Sequence, residues 1–240
     1  RFLHVANGDQ RLPMASTTKV MTALVVLEHC ELSEVVTVPA AAVGVEGSSI
    51  YLRKGDQRTV EELLFGLMLR SGNDAAVCLA LHTSGSIESF AELMNNAAAM
   101  YGCTNTHFTN ANGLHDDNHY STARDMAKIA RAAMENDMFQ QIAATYTYTL
   151  PRSNLRRSRL LTGASSNWLN KNQETTEDYT STYYPYATGI KTGFHARAGY
   201  CYVGAAERDG VKLISVVFYT SNSGRWSDSR KLMEYGFSQF

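Results

Sequence analysis

The chain has 240 residues, 44% of them hydrophobic, and a formal net charge of -1. That length suits one large domain or two intimate lobes with a sizeable core. The balanced charge excludes nucleic acid as an expected partner, because phosphate binding needs a basic surface. No run of about 18 apolar residues occurs, so no membrane-spanning helix is expected and any membrane contact would come from segments outside this chain. The opening RFLHVANGDQ is not a signal peptide.

In chain order, residues 17–30 read as a helix apolar nearly all round (Val20, Met21, Ala23, Leu24, Val25, Val26, Leu27), hence central and buried. Thr59 and Glu62 form a capping box, which predicts a helix from about Val60 to Leu69. RSGND then brings Gly72 and an N-cap at Asn73 or Asp74, and a second helix runs through Val77 and Leu81 to Ser84-Gly85. SIESFAELMNNAAAMYG and STARDMAKIARAAM carry apolar residues at helical spacing, the first with Gly102 as its C-terminal cap. TYTYTL (145–150) alternates as a half-buried strand does. Residues 151–188 are polar and loop-rich. GYCYVGAAERDGVKLISVVFY predicts two strands joined by a turn at Asp209-Gly210, and a closing helix spans about Arg225 to Tyr235. The expected architecture is mixed α/β in a single domain. A sheet lobe (about 1–45 and 141–240) shares one sheet between its terminal parts, and a helical lobe (about 46–140) is inserted, leaving a cleft at the junction. Cys30, Cys78, Cys103 and Cys201 form no C-x-x-C pair and read as small buried thiols, with one disulfide left open.

Three short strings carry chemistry: Ser16-Thr17-Thr18-Lys19, Ser71-Gly72-Asn73 and Lys191-Thr192-Gly193. Residues i and i+3 share a helix face, so Ser16 and Lys19 project together. A serine hydroxyl needs a base to take its proton. Lysine becomes that base when burial and a second cation depress its pKa, and Lys191 can supply the cation. Ser71 could relay a proton to a leaving group, and Asn73 could hold a substrate amide. Lys191 and Thr192 would meet a substrate carboxylate, and Gly193 would let substrate backbone approach closely. The segment HFTNANGLHDDNHY has His107, His115, Asp116, Asp117 and His119 at irregular spacing, and it reads as a turn-rich loop and not a metal site. Ser165-Ser166-Asn167 reads as a loop.

The three strings in this order are the signature of penicillin-binding proteins and class A β-lactamases. LPMASTTKVMTAL, TVEELLFGLMLRSGNDAA, FTNANGLHDDNHYSTARDMAKIA, GIKTGFHARAGYC and SRKLMEYGF together resemble D-alanyl-D-alanine carboxypeptidases of the low-molecular-mass penicillin-binding type, from about Leu12 to Phe237. The resemblance implies the penicilloyl-serine transferase fold, an antiparallel sheet flanked by helices plus a helical lobe. It implies Ser16 as nucleophile, Lys19 as general base, and Ser71, Asn73 and Lys191 as further catalytic residues. Thr192, Gly193, Phe194 and His195 would bind substrate, with the backbone N–H groups of Ser16 and Phe194 as the oxyanion hole. The substrate would be a peptidoglycan stem peptide ending in D-Ala-D-Ala, β-lactams would be inhibitors, no metal or organic cofactor would be needed, and the enzyme would work outside the cytoplasmic membrane.

Two departures from the family pattern stand out. His195 occupies a position where the family commonly has threonine, and the family's later carboxylate-binding arginine falls near Thr220, with no obvious counterpart. The alternatives are a non-catalytic β-lactam- or wall-binding module, a transpeptidase, and a β-lactamase. Class A β-lactamases carry a deacylating glutamate four residues before an asparagine. Trp168-Leu169-Asn170 superficially matches that loop, but the earlier position is Ser166.

Overall fold

A computed structural model describes residues 1–163 and 182–240. Ser165-Ser166-Asn167 and Trp168-Leu169-Asn170 therefore lie outside the described residues. The expected central helix is a 3-10 turn, Ala15–Thr18, running into α1, Lys19–His29, whose first eight residues are all buried. Around it stand α2 (Val60–Leu69), α3 (Asn73–Ser84), α4 (Ile87–Met100), α5 (Ala123–Ala133) and α6 (Asp137–Ala144). Half of the expected capping box forms at α2: the Thr59 side chain accepts from the Glu62 N–H, while the Glu62 carboxylate pairs with Arg58. Ser86, Thr122 and Asn136 cap α4, α5 and α6 in the same way.

The N-cap of α3 is Gly72, one residue earlier than expected. Asn73 and Asp74 do not cap because both side chains are committed elsewhere. The Asp74 carboxylate accepts from the Ile50 and Leu52 N–H groups and the Ser49 hydroxyl, pinning loop 49–52 across the start of α3.

Short ladders pair β1 (Val35–Thr37) with β2 (Gln57–Thr59), and β3 (Thr147–Leu150) with β4 (Arg159–Thr162). The main sheet is antiparallel, in order β5 (Ala187–His195), β6 (Gly199–Arg208), β7 (Val211–Thr220). Asp209 and Gly210, with φ of 53° and 79°, make the two-residue hairpin between β6 and β7. Both faces of this sheet are covered. Val203 and Ala205 join the core around α1, while Tyr202 and Ala206 pack with Trp226, Met233 and Phe237 of α7 (Gly224–Phe237). Strand β6 is therefore buried on both sides, the alternation dividing two cores.

Several elements differ from the expected ones. Lys191-Thr192-Gly193 lies within a strand, β5, and not in a segment preceding the strands. Its apolar content is too low for a strand pattern, because lysine and threonine fill inward positions. Strand β4 and helix α6 arise in stretches read as loop or left unassigned. The amino-terminal residues add no strand to the main sheet. Leu12 bridges Ser121 and Gly8 accepts from the Arg124 N–H, so this segment lies along the start of α5. The β1–β2 ladder also crosses the expected 45/46 lobe boundary, and one apolar core runs from Met14 to Val203 and Ala205. All four cysteines are free thiols.

The α2 cap gives a direct test. Thr59→Ala leaves the Glu62 N–H without its acceptor and is expected to cost about 1 kcal/mol in urea unfolding, with Thr59→Ser restoring most of it.

Candidate active site

Lys19 is fully buried at the first position of α1. Its Nζ lies 2.8 Å from Ser16 Oγ, 2.7 Å from Asn73 Oδ1 and 2.6 Å from the Asn112 carbonyl oxygen. The Asn73 amide is oriented by its other end. Nδ2 donates to the Glu46 carbonyl at 2.6 Å, which leaves Oδ1 for Lys19. Two of the three neighbours of Nζ can therefore only accept. A neutral amine has two N–H groups and one lone pair, which satisfies both acceptors and leaves the lone pair for the Ser16 O–H. In that form Lys19 could accept the Ser16 proton.

Electrostatics favour the neutral form. Burial drives the Lys19 pKa well below the ordinary lysine range, Lys191 pushes the same way, and Asp74 opposes them. Lys191, itself buried on β5, is pushed down to about 7 by burial and by Arg225.

The turn that carries Ser16 is held from several sides. Ala15 sits at φ 48°. Thr17 donates through both its N–H and its hydroxyl to the Met14 carbonyl. Loop 107–120 grips α1 three times. Asn112 O accepts from Lys19, Ala111 O accepts from the Thr22 hydroxyl at 2.6 Å, and His119 Nε2 meets the Thr18 hydroxyl at 2.8 Å. His119 Nδ1 accepts from the Thr109 N–H, so the neutral ring carries its proton on Nε2 and donates to Thr18. Burial lowers its pKa to about 3, which keeps it neutral. His119 is thus a strut of the loop.

Two glycines mark close approaches. A Cβ on Gly113, whose φ is 88°, would lie 2.0 Å from the Ala15 carbonyl oxygen. A Cβ on Gly193 would lie 2.9 Å from Met14 O and 3.1 Å from Ser16 N. Gly193 was expected to make room for substrate backbone, and in the structure it makes room for the Ser16 turn itself. Strand β5 is an edge of the main sheet, and it runs beside this turn.

Ser16, Lys19 and Asn73 are thus brought into direct contact, and Lys191 acts on Lys19 through space. Ser71, in the left-handed region at φ 56°, is buried beside Asn73 and makes no hydrogen bond to Ser16, Lys19 or Lys191 among the described residues. Asn73 was expected to hold a substrate amide. Here its Oδ1 and one Nδ2 hydrogen position Lys19 and the Glu46 loop. Thr192 is buried, while Phe194 is exposed and stacks on Tyr200 at 4.3 Å. His195 Nδ1 accepts from the Ala198 N–H at 3.1 Å, so its neutral ring bears the proton on Nε2. Burial and His115, whose ring centroid is 5.7 Å away, lower its pKa.

Sequence reading missed Arg225, Asn112 and Gly113. Past Thr220 the chain turns at once into α7, which returns Arg225 to the neighbourhood of Lys191. Its guanidinium lies 5.0 Å from the Tyr200 ring centre and 4.7 Å from that of Trp226. Its buried Nε has no partner among the described residues. The signal available in sequence was an arginine in the first turn of the closing helix. For Asn112 and Gly113 it was their place in FTNANGLHDDNHY, a segment that enters the family resemblance but reads as a turn-rich loop by itself.

A family model described as D-alanyl-D-alanine carboxypeptidase matches residues 1–222. The chain is 39% identical over 249 residues to the D-alanyl-D-alanine carboxypeptidase of Streptomyces sp. strain K15, covering 98% of this chain and 82% of that relative. It is 33% identical over 246 residues to D-alanyl-D-alanine carboxypeptidase DacF of Bacillus subtilis, covering 100% of this chain and 60% of DacF. The crystal structure of the Streptomyces K15 DD-transpeptidase matches with a TM-score of 0.87 at 36% identity, covering 98% of this chain and 92% of that one. A D-alanyl-D-alanine carboxypeptidase from Mycobacterium tuberculosis matches at 0.84 and 34%, covering 97% and 84%. The chain therefore belongs to the D-alanyl-D-alanine carboxypeptidase family of low-molecular-mass penicillin-binding proteins and has their fold. It spans only about 60% of the length of several of its curated relatives.

Gly113→Ala is expected to displace the Ser16 turn, because the added Cβ would fall on the Ala15 carbonyl oxygen, and so to lengthen the Ser16 Oγ–Lys19 Nζ contact. A crystal structure of the variant checks this. The depressed lysine makes a second expectation. Below pH about 7 native Lys191 is protonated, as it is in the unfolded chain, and its charge carries the burial cost; between about 7 and the unfolded value of 10.5 the native state binds fewer protons, so its stability rises with pH. The stability difference favouring Lys191→Met over wild type is therefore expected to shrink as pH rises from 7 to 10, measured by denaturant unfolding at each pH.

Proposed function

We propose that this chain is a serine-type D-Ala-D-Ala carboxypeptidase domain, acting on peptidoglycan stem peptides on the outer side of the bacterial cytoplasmic membrane. β-Lactams acylate the same serine. The observation that carries this reading is the position of Lys19 Nζ between Ser16 Oγ and two obligate acceptors. Lys19 takes the Ser16 proton as Oγ attacks the carbonyl between the two D-alanines. The developing oxyanion is received by the N–H groups of Ser16 and Phe194. The C–N bond then breaks as Lys19 gives the proton it took from Ser16, relayed through Ser71 in the substrate complex, to the leaving nitrogen, so D-alanine departs and Lys19 is neutral again. Water attacks the acyl-Ser16 ester with Lys19 again as base, releasing the shortened peptide.

The free carboxylate of the terminal D-alanine needs cations. Lys191 and Arg225 supply them, and Thr192 and the Nε2–H of His195 supply neutral donors. Arg225 fills the part for which no arginine was evident near Thr220. The histidine donor does not depend on protonation, because the lowered pKa keeps the ring neutral with Nε2–H in place. No helix among the described residues is long and apolar enough to cross a membrane.

Incubation with a D-Ala-D-Ala peptide is expected to release free D-alanine, and penicillin to leave a stable adduct whose mass maps to Ser16. Ser16→Ala abolishes both, and Lys19→Arg lowers acylation by about 10²–10⁴-fold. Arg225→Gln lowers kcat/KM for the peptide by about 10–100-fold. An adduct without D-alanine release would instead identify a β-lactam-binding module, and rapid penicillin loss a β-lactamase. An adduct at another residue would sink the site assignment.

A further inference from the structure

A second cluster lies at the opposite ends of the same two helices. Cys30 closes α1, His82 lies in the last turn of α3, and Glu34 stands just before β1. Cys30 Sγ, a Glu34 carboxylate oxygen and a His82 ring nitrogen all lie within 4.8 Å of one another. No other such group of three or more is present among the described residues. His82 Nε2 is 2.9 Å from Glu34 Oε2, and the other Glu34 oxygen accepts from the Glu31 N–H at 2.6 Å, which orients the carboxylate. Cys30 Sγ shares one hydrogen bond, 3.3 Å, with the Thr83 hydroxyl, which zinc binding would replace.

We propose that Cys30, Glu34 and His82 form a binding site for a zinc-class divalent cation, with water in the fourth position. Calcium and magnesium seek oxygen alone, whereas a thiolate, an imidazole nitrogen and one carboxylate oxygen suit zinc. Ligand atoms on a tetrahedral zinc lie about 3.4–3.8 Å apart, given bonds of about 2.0–2.3 Å. The 2.9 Å His82–Glu34 contact must open by less than about 1 Å, and the two separations from Cys30 Sγ, which do not exceed 4.8 Å, need adjust by no more than about 1.4 Å, a reach of side-chain rotation.

The His82 side chain is 25% and that of Glu34 41% exposed, which gives the ion a path in. It also makes their own hydrogen bond a weak competitor. Without metal, burial raises the Cys30 pKa, Glu34 adds to that and Thr83 opposes it, so the thiol is protonated. Binding releases that one proton to solvent as the Zn–S bond forms, with no change of oxidation state, and the zinc charge replaces it opposite Glu34.

The helix N-termini carrying Lys19 and Asn73 lie about 13–16 Å from this cluster, at 1.5 Å per residue. The ion is therefore a staple between α1 and α3 and takes no part in the proposed hydrolysis. Sequence spacing could not reveal it, since Glu34 and His82 are 48 residues apart.

The test uses metal-free, reduced protein titrated with Co2+. One equivalent should produce a near-ultraviolet thiolate-to-cobalt charge-transfer band, and Zn2+ should bleach it and raise the thermal midpoint. Cys30→Ser should lose the band. His82→Gln, which keeps a polar partner for Glu34, should weaken Zn2+ binding at least about 100-fold, above what outer-sphere changes cost. Both variants should keep wild-type penicillin acylation, showing that they fold. The absence of a charge-transfer band in the wild type would overturn the site. A band surviving in Cys30→Ser, or a zinc-induced midpoint shift unchanged in His82→Gln, would do the same.

Discussion

The geometry around Lys19 is the constraint on which the rest depends. A buried ammonium beside another cation is costly, and a neutral amine there must still satisfy the acceptors that face it. Asn73 Oδ1 and Asn112 O use up both N–H groups, so the lone pair has one direction left, toward Ser16. Each of the three oxygens comes from a different element: the 3-10 turn, α3, and loop 107–120. Their convergence requires that α1 be packed all round, and its first eight residues are all buried.

The two close glycine contacts follow from that requirement. Gly113 lets the loop touch Ala15, and Gly193 lets β5 touch the Ser16 turn. Backbone replaces side chain at both places, which brings Lys191 near Lys19 from the sheet side. Arg225 then enters from α7, held between Tyr200 and Trp226. A line of basic side chains thus runs from the core toward the surface. Arg225 lowers the proton affinity of Lys191 and Lys191 that of Lys19, and Arg225 leaves a buried Nε without a partner among the described residues.

Local signals were legible wherever one short stretch determines the outcome. The Thr59 cap at α2, the Asp209-Gly210 hairpin and the Ser84-Gly85 stop act within a few residues, and the structure has all three, although the Glu62 side chain turns to Arg58 and does not complete the capping box. Signals failed where a residue serves a distant partner. Asn73 looks like an N-cap but is drawn to Lys19 and Glu46, leaving Gly72 at that position. Strand β5 escapes a hydrophobic pattern because Lys191 and Thr192 occupy buried positions. Arg225 was overlooked because its proximity to Lys191 depends on the turn after Thr220 and not on sequence distance.

The sequence by itself determined the family and the strings Ser16–Lys19, Ser71–Asn73 and Lys191–Gly193, because residue order and spacing survive without coordinates. It also determined most helices and the terminal hairpin, whose stabilising contacts are local. Only the tertiary structure decided that Lys19 is a three-oxygen site, that loop 107–120 supplies one of those oxygens through a backbone carbonyl, and that Arg225 stands near Lys191. The reason is physical. A backbone carbonyl has no residue-type signature, and a lysine's burial, hence its readiness to lose a proton, is a property of everything packed around it.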